Sequence, residues 1–511
     1  MNHIYNNNGQ QKYPLPSIQG RLGTLEEPLN VVPAPQRVAS SHSLRRPGKG
    51  VGLLLFALLF CFVLPAGAQQ ATFISDAKVV PSQLVDEVGR KTGLTVHCLS
   101  GLAGQKLKGS DVVERTLRNT KGMPVASTRV ILLQLGCNDV PDAWEDKVLL
   151  SHYEQTLFDF PTGDVCTLTG KMKRHKRMAV SKAKVGNSDF AGAYYRIVLQ
   201  LRKSHPDARL FMLSPHLGKA AQGNAKLDSQ LALVAQMFCI PYVRDVDADL
   251  VPYNFIWNKN TAKPKLGKML LIGDSYCEQR RWTDQLELIA DVELVNLGVT
   301  SATMKDKSDF RSAPYTAYPV KTDNAGNHNT LSSQIELLKR LRKGKNLRAG
   351  EQPIADDYRP DYILIEGGTN DNADELRTEQ NYDTDACRND RTTYMGALAY
   401  LTSEVHRLYP QAKIYIVTPA GLYYGHTDEP FAYITKCRQI RKAAQLLGYP
   451  TVNWDRESRL SFVFNNSAGT GNGSASKPFR YNAETIETRD LLHPNERGGR
   501  FFAEAVVKSL R

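Results

Sequence analysis

Two stretches of this chain read as one unit written twice, so its fold must be one that can be built in tandem. Phe73-Ile74-Ser75-Asp76-Ala77 aligns with Leu271-Ile272-Gly273-Asp274-Ser275, and residues 95–100 align with 293–298 in the same register. Further on, 130–139 align with 362–371 and 206–213 with 410–417, and Ala235-Gln236 ahead of Pro241 answers Ala444-Gln445 ahead of Pro450. Five ordered correspondences predict a duplication, with a period too long for a solenoid.

The second copy alternates apolar runs with amphipathic ones. Strands are predicted at 268–272, 292–296, 361–366, 412–418 and 450–453. Their apolar residues are continuous instead of alternating, as expected of strands buried on both faces of a parallel sheet. Met395, Leu398, Leu401, Val405 and Leu408 recur at helical spacing, and further helices are predicted near 331–343, 430–447 and 495–510. Such alternation predicts an α/β fold with helices on both sheet faces. Ser275, Gly298 and Asn370 each follow a predicted strand directly, so they should converge on one sheet edge, where open α/β sheets bind ligands.

Four blocks of the second copy stand in a fixed order: Gly273-Asp274-Ser275, Asn296-Leu297-Gly298, Gly367-Gly368-Thr369-Asn370-Asp371 and Asp490-Leu491-Leu492-His493-Pro494. Together they resemble the signature blocks of the SGNH (GDSL-type) serine hydrolases. The resemblance covers residues 266–511 well and 72–250 in degraded form. It implies two flavodoxin-like three-layer α/β/α domains with mostly parallel sheets, the first degenerate.

The resemblance also assigns roles. Ser275 is the expected nucleophile, His493 its base and Asp490 the carboxylate that orients the imidazole. The backbone N–H groups of Ser275 and Gly298 and the side-chain amide of Asn370 are the expected oxyanion donors. Ser275 should also gain from the positive end of a following helix. No cofactor or metal is required. Tyr276 stands where many relatives carry Leu, at a position with no chemical role.

The first copy lacks this set. It has Ala77 at the nucleophile position and Ser100 at the glycine position, and no Asp-x-x-His-Pro between Pro241 and Met269. Asn138 is retained, but an Asx residue after a strand can simply close a turn. The first copy is therefore expected to be non-catalytic. The offset between copies grows from 198 at Ser275/Ala77 to 232 at Asn370/Asn138, so the second copy carries an insertion within 299–360, beginning at the active edge.

The expected division is an N-terminal extension with signal peptide over 1–68, a degenerate domain over 69–258 and a catalytic domain over 266–511. Residues 53–64 form an unbroken apolar run, preceded by Arg45, Arg46 and Lys49 and closed by Ala66-Gly67-Ala68. Twelve helical residues rise only about 18 Å, too short for a hydrocarbon core, which favours a cleaved leader over a permanent anchor. The mature protein is then expected to be exported, whether periplasmic, extracellular or at the cell surface. Seven cysteines remain after such cleavage, with no zinc-like spacing; Cys277 reads as a small packed side chain.

The formal charge of +13 includes +4 from the first 68 residues, and its basic knots at 171–177 and 340–348 read as solvated faces. No motif for nucleic-acid recognition accompanies them. The expected activity is ester hydrolysis, with an acylated carbohydrate or another small ester as substrate and acetyl as the favoured acyl group. A lipase or phospholipase is the nearest alternative and would call for an apolar lid, whereas 299–360 is polar and basic. A glycan-binding or scaffold protein of the same fold is a third reading, opposed by the intact Ser/Gly/Asn/Asp-x-x-His set.

Overall fold

The computed structural model describes residues 70–78, 82–99, 102–109, 111–121, 123, 128–143, 149, 153, 162–166, 172–176, 188–217, 224–257, 262–300, 302–306, 330–345, 347, 351–371, 390–421, 431–465 and 493–511. The apolar segment 53–64, Ser100, Asp490 and residues 307–329 of the 299–360 insertion lie outside them. No described helix is long and apolar enough to cross a membrane.

In the first half, strands β1 (Gln70–Ser75), β2 (Thr95–Leu99), β3 (Thr128–Gln134), β6 (Arg209–Leu213) and β7 (Tyr242–Val243) form one parallel sheet in the order β2-β1-β3-β6-β7. A separate antiparallel pair, β4 (Thr162–Cys166) and β5 (Met172–Lys176), includes Lys173, Arg174 and Lys176 of the first basic knot. In the second half, β8 (Lys265–Ile272), β9 (Asp291–Asn296), β10 (Tyr362–Glu366), β11 (Lys413–Thr418) and β12 (Thr451–Asn453) form a second parallel sheet in the order β9-β8-β10-β11-β12. Counted within each half, both orders are 2-1-3-4-5, the flavodoxin-like arrangement with its switch point beside the first strand. Every strand and helix expected in the second half is present within two residues or so, except that β8 begins earlier, at Lys265.

The strands form where predicted because their side chains are consumed on both faces. In β8, Leu270 and Ile272 pack into a cluster with Ile335, Leu338, Ile363, Ile365 and Leu398. Met269 and Leu271 point the other way, into a larger cluster holding Ile131, Leu133 and Ile197 of the first half and Phe502 of the second. The first sheet has its own outer layer around Phe73, Leu84, Val88 and Phe211. The two sheets therefore share a middle core.

Helices begin at side-chain caps. Asp189, Thr330, Thr393 and Asn495 accept from Gly192, Ser333, Gly396 and Gly498 N–H respectively. Helix Leu331–Lys343 ends with Arg340, Arg342 and Lys343 in its last turn and Gly344 at φ 59°. Cations belong at that negative end, which suits Arg340, Arg342 and Lys343 of the second basic knot; Arg340 also pairs with Glu351.

Polar contacts run across the line between the halves. Arg209, 2% exposed, meets Glu504, also 2% exposed, at 3.0 Å. Gln236 Nε2 donates to Asp455 Oδ2 at 2.6 Å, Ser461 Oγ to Met237 O at 2.6 Å, and Arg202 Nη1 to Arg459 O at 2.8 Å.

Candidate active site

Chain leaving β8 turns sharply at Gly273, where a Cβ would lie 2.5 Å from Cys277 Sγ and 3.1 Å from Glu366 Oε2. Asp274 follows as a helix cap, its carboxylate accepting from Tyr276 N at 3.0 Å. Ser275 is the first residue of helix Ser275–Glu278. That helix is a single turn, broken at Arg280, whose φ is 57°, before helix Arg281–Ile289 begins. The dipole expected behind Ser275 is thus carried by one turn, and individual N–H donors matter more than a helix axis.

His493 comes to the same edge from the far end of the sequence. Its Nε2 lies 3.0 Å from Ser275 Oγ. The helix after it, Glu496–Leu510, packs so closely on helix Arg281–Ile289 that a Cβ on Gly499 would meet Arg281 O at 2.5 Å. Tyr276 lies beneath the pair, its ring 5.7 Å from His493 and 5.7 Å from Phe502. Phe502 in turn stacks on Trp454 at 4.3 Å. The position with no expected role is therefore part of the floor under the imidazole. Asp490 lies outside the described residues.

Gly298 and Asn370 flank the serine turn from β9 and β10, the strands on either side of β8. A Cβ on Gly298 would collide with Cys277 Cβ at 2.5 Å and Glu278 N at 2.7 Å, so glycine is required for packing alone. Its N–H donates to Asn296 Oδ1 at 2.9 Å. Asn370 Nδ2 donates to Ala302 O at 2.9 Å and Asp274 Oδ2 at 3.2 Å. Use of either group on an oxyanion requires these bonds to be exchanged for the substrate's.

Beneath the turn lies a pair of carboxyl groups that sequence reading passed over. Asp274 is fully buried and Glu366 is 1% exposed. Glu366 Oε2 accepts from Asp274 N at 3.1 Å, and Thr369 Oγ1 donates to Glu366 Oε1 at 3.3 Å. Burial raises both acids, and Asp274 drives Glu366 well above the carboxylate range. The two buried acids are thus both biased toward holding a proton. The sequence signal was an acid closing an otherwise apolar strand, Tyr362–Glu366.

The first half has comparable contacts at the ends of its own strands. Asp139 accepts from Leu107 N at 2.6 Å and Lys108 N at 3.0 Å; Asp371 accepts from Met304 N at 2.9 Å and Lys305 N at 3.1 Å. Asn138 Nδ2 is spent on Asp76 O at 2.6 Å and Gln105 O at 2.8 Å, a turn-closing role. Ala77 is buried and offers no nucleophile. Gln134 stands where Glu366 stands, with its carbonyl oxygen accepting from Ser75 Oγ at 3.1 Å. Among the described residues no cluster of His, Cys, Asp and Glu suits a metal ion.

Residues 269–506 match the model of the GDSL-like lipase/acylhydrolase family. The second half of the chain belongs to the GDSL-type, or SGNH, hydrolases. No curated protein matches the chain. Several solved structures do. One, described as a possible lipase from Chitinophaga pinensis, is 16% identical over 47% of this chain and 96% of its own, with a TM-score of 0.28. A lipase/acylhydrolase from Enterococcus faecalis is 14% identical over 47% of this chain and 93% of its own, with a TM-score of 0.26. A carbohydrate esterase family 2 enzyme with a carbohydrate-binding domain, from Corynascus thermopiles (Myceliophthora fergusii), is 17% identical over 49% of this chain and 67% of its own, with a TM-score of 0.28. A domain of this family supports, in general terms, an ester-hydrolysing activity.

Proposed function

We propose that this protein is an exported serine esterase that removes acyl groups, acetyl above all, from carbohydrate through an acyl-enzyme on Ser275. The observation carrying this reading is the 3.0 Å contact between Ser275 Oγ and His493 Nε2 at the carboxyl edge of β8. Ser275 Oγ attacks the ester carbonyl carbon while His493 takes its proton. The tetrahedral oxyanion is received by the Ser275 and Gly298 N–H groups and the Asn370 amide. Its collapse expels the alcohol, which takes the proton from His493. Water, deprotonated by His493, then attacks the acyl-enzyme and releases the acid. Asp490 orients the imidazole.

Export is supported by the apolar run 53–64 and its Ala-x-Ala stop. A polar acceptor is supported by the composition of 299–329, which carries Lys305, Asp306, Lys307, Arg311 and Lys321 where a lipase would need an apolar lid. We read the first half, 69–258, as a duplicated, non-catalytic relative of 266–511. Its support is the shared 2-1-3-4-5 strand order and the shared aspartate clamp on the neighbouring loop.

Turnover of p-nitrophenyl acetate, p-nitrophenyl palmitate and acetylated xylan tests the proposal. The acetyl substrates should be hydrolysed and the palmitate neglected. Preference for the long acyl chain would replace this reading with the lipase one.

A further inference from the structure

Helix Ala432–Leu446 carries a lysine where an apolar residue would be expected. Lys436 is 4% exposed and sits under the turn that follows β10. Its ammonium donates to three carbonyl oxygens of that turn: Gly368 at 2.7 Å, Thr369 at 3.3 Å and Asp371 at 2.6 Å. A fourth carbonyl, that of Gly367, accepts from Tyr394 Oη at 3.4 Å. Burying an ammonium is costly unless partners replace its water. Here the partners are backbone carbonyls drawn toward one cation.

The fold does not need this charge. In the alignment of the two halves, Lys436 corresponds to Leu227 on helix Ala225–Met237, itself buried. The first-half turn is tied instead by Asp76, which accepts from Gly136 N at 2.8 Å and Cys137 N at 3.0 Å. The lysine thus belongs only to the half that retains the full hydrolase set. The carbonyls it gathers bracket Asn370: that of Thr369 belongs to the peptide before Asn370, and that of Asp371 lies just beyond it. Gly368 takes φ 107°, which bends the turn so that these carbonyls face inward. With the backbone held on both sides, the Asn370 side chain is aimed across toward Asp274 and the serine turn.

We propose that Lys436 is a positioning residue that fixes the backbone on both sides of Asn370 and so aims the side-chain oxyanion donor. This rests on the reading of Asn370 as that donor. Lys436 touches no reacting atom, and its effect on turnover runs through Asn370.

A double-variant cycle on the full-length protein tests it, with acetyl-ester kcat and KM measured for Lys436→Met, Asn370→Ala and their combination. Lys436→Met should lower kcat by about 10–100-fold and leave KM within about twofold. In the Asn370→Ala background it should cost less than about twofold more, because the group it aims is already gone. A folded Lys436→Met enzyme with unchanged kcat overturns the proposal, as do losses that multiply in the combined variant. If Lys436→Met does not fold, Lys436→Gln takes its place in the same cycle under the same criteria. A kcat loss for Asn370→Ala with none for Lys436 removes the clamp alone. An unaffected Asn370→Ala enzyme removes the donor reading and the clamp with it, and loss of activity in Ser275→Ala then shows whether the serine chemistry still stands.

Discussion

At the scale of single residues, the proposed site rests on a few groups held by their neighbours. Ser275→Ala and His493→Ala should each lower turnover by about 10⁴-fold or more, since the two act as one unit. Asn370→Ala should cost about 10²–10³-fold with the fold intact, which kcat and a melting curve together would check. Glu366 makes a sharper prediction. Burial and the neighbouring Asp274 push it toward the protonated form, so Glu366→Gln should keep activity within a few-fold, whereas Glu366→Ala removes the acceptor for Asp274 N. The sign for stability follows from the proton count. An acid raised in the native state keeps a proton that the unfolded chain gives up above about pH 4.5, so its contribution falls as pH rises from there. Asp76, pushed up to about 6 by burial, acts in the same direction. Glu366→Gln should therefore flatten the decline of melting temperature between about pH 5 and pH 8. An unchanged slope would mean that Glu366 ionises freely.

At the scale of elements, the sequence revealed what periodicity and punctuation can encode. Continuous apolar runs gave all five strands of the second sheet, and the spacing from Met395 to Leu408 gave helix Tyr394–Leu408. The order of signature blocks brought Ser275 and His493 together, although 218 residues separate them. What stayed hidden depends on tertiary contact. Nothing local shows that Lys436 faces a turn instead of water, or that Asp274 and Glu366 are buried against each other. The single-turn length of helix Ser275–Glu278 was equally invisible, since Arg280 marks its end only through an unusual φ. Gly298 offers a test here. Its missing Cβ makes room for Cys277 and Glu278, so Gly298→Ala should push the serine helix away, costing about 1–3 kcal/mol of stability and most of the activity. Wild-type melting and turnover in Gly298→Ala would contradict the packing described.

At the scale of the whole molecule, the two halves depend on a common core and on buried polar contacts. Arg209 and Glu504 form an ion pair sealed from water, and Glu457 O also accepts from Arg209. Arg209→Ala would leave Glu504 with Arg500 as its remaining cation at 2.9 Å, a partly compensated loss that should lower the urea midpoint. Expressed alone, residues 266–511 would expose the apolar face now covered by Ile131, Leu133 and Ile197. That fragment should aggregate or melt well below the full chain. A stable, fully active fragment would leave the first half with a binding role only.

The central claim is that Ser275 is a nucleophile activated by His493. Intact-mass measurement after treatment with a fluorophosphonate tests it most directly. The wild-type protein should gain one phosphonyl adduct, mapped to the peptide containing Ser275, while Ser275→Ala gains none and His493→Ala reacts far more slowly. An adduct of equal yield on Ser275→Ala would contradict the account.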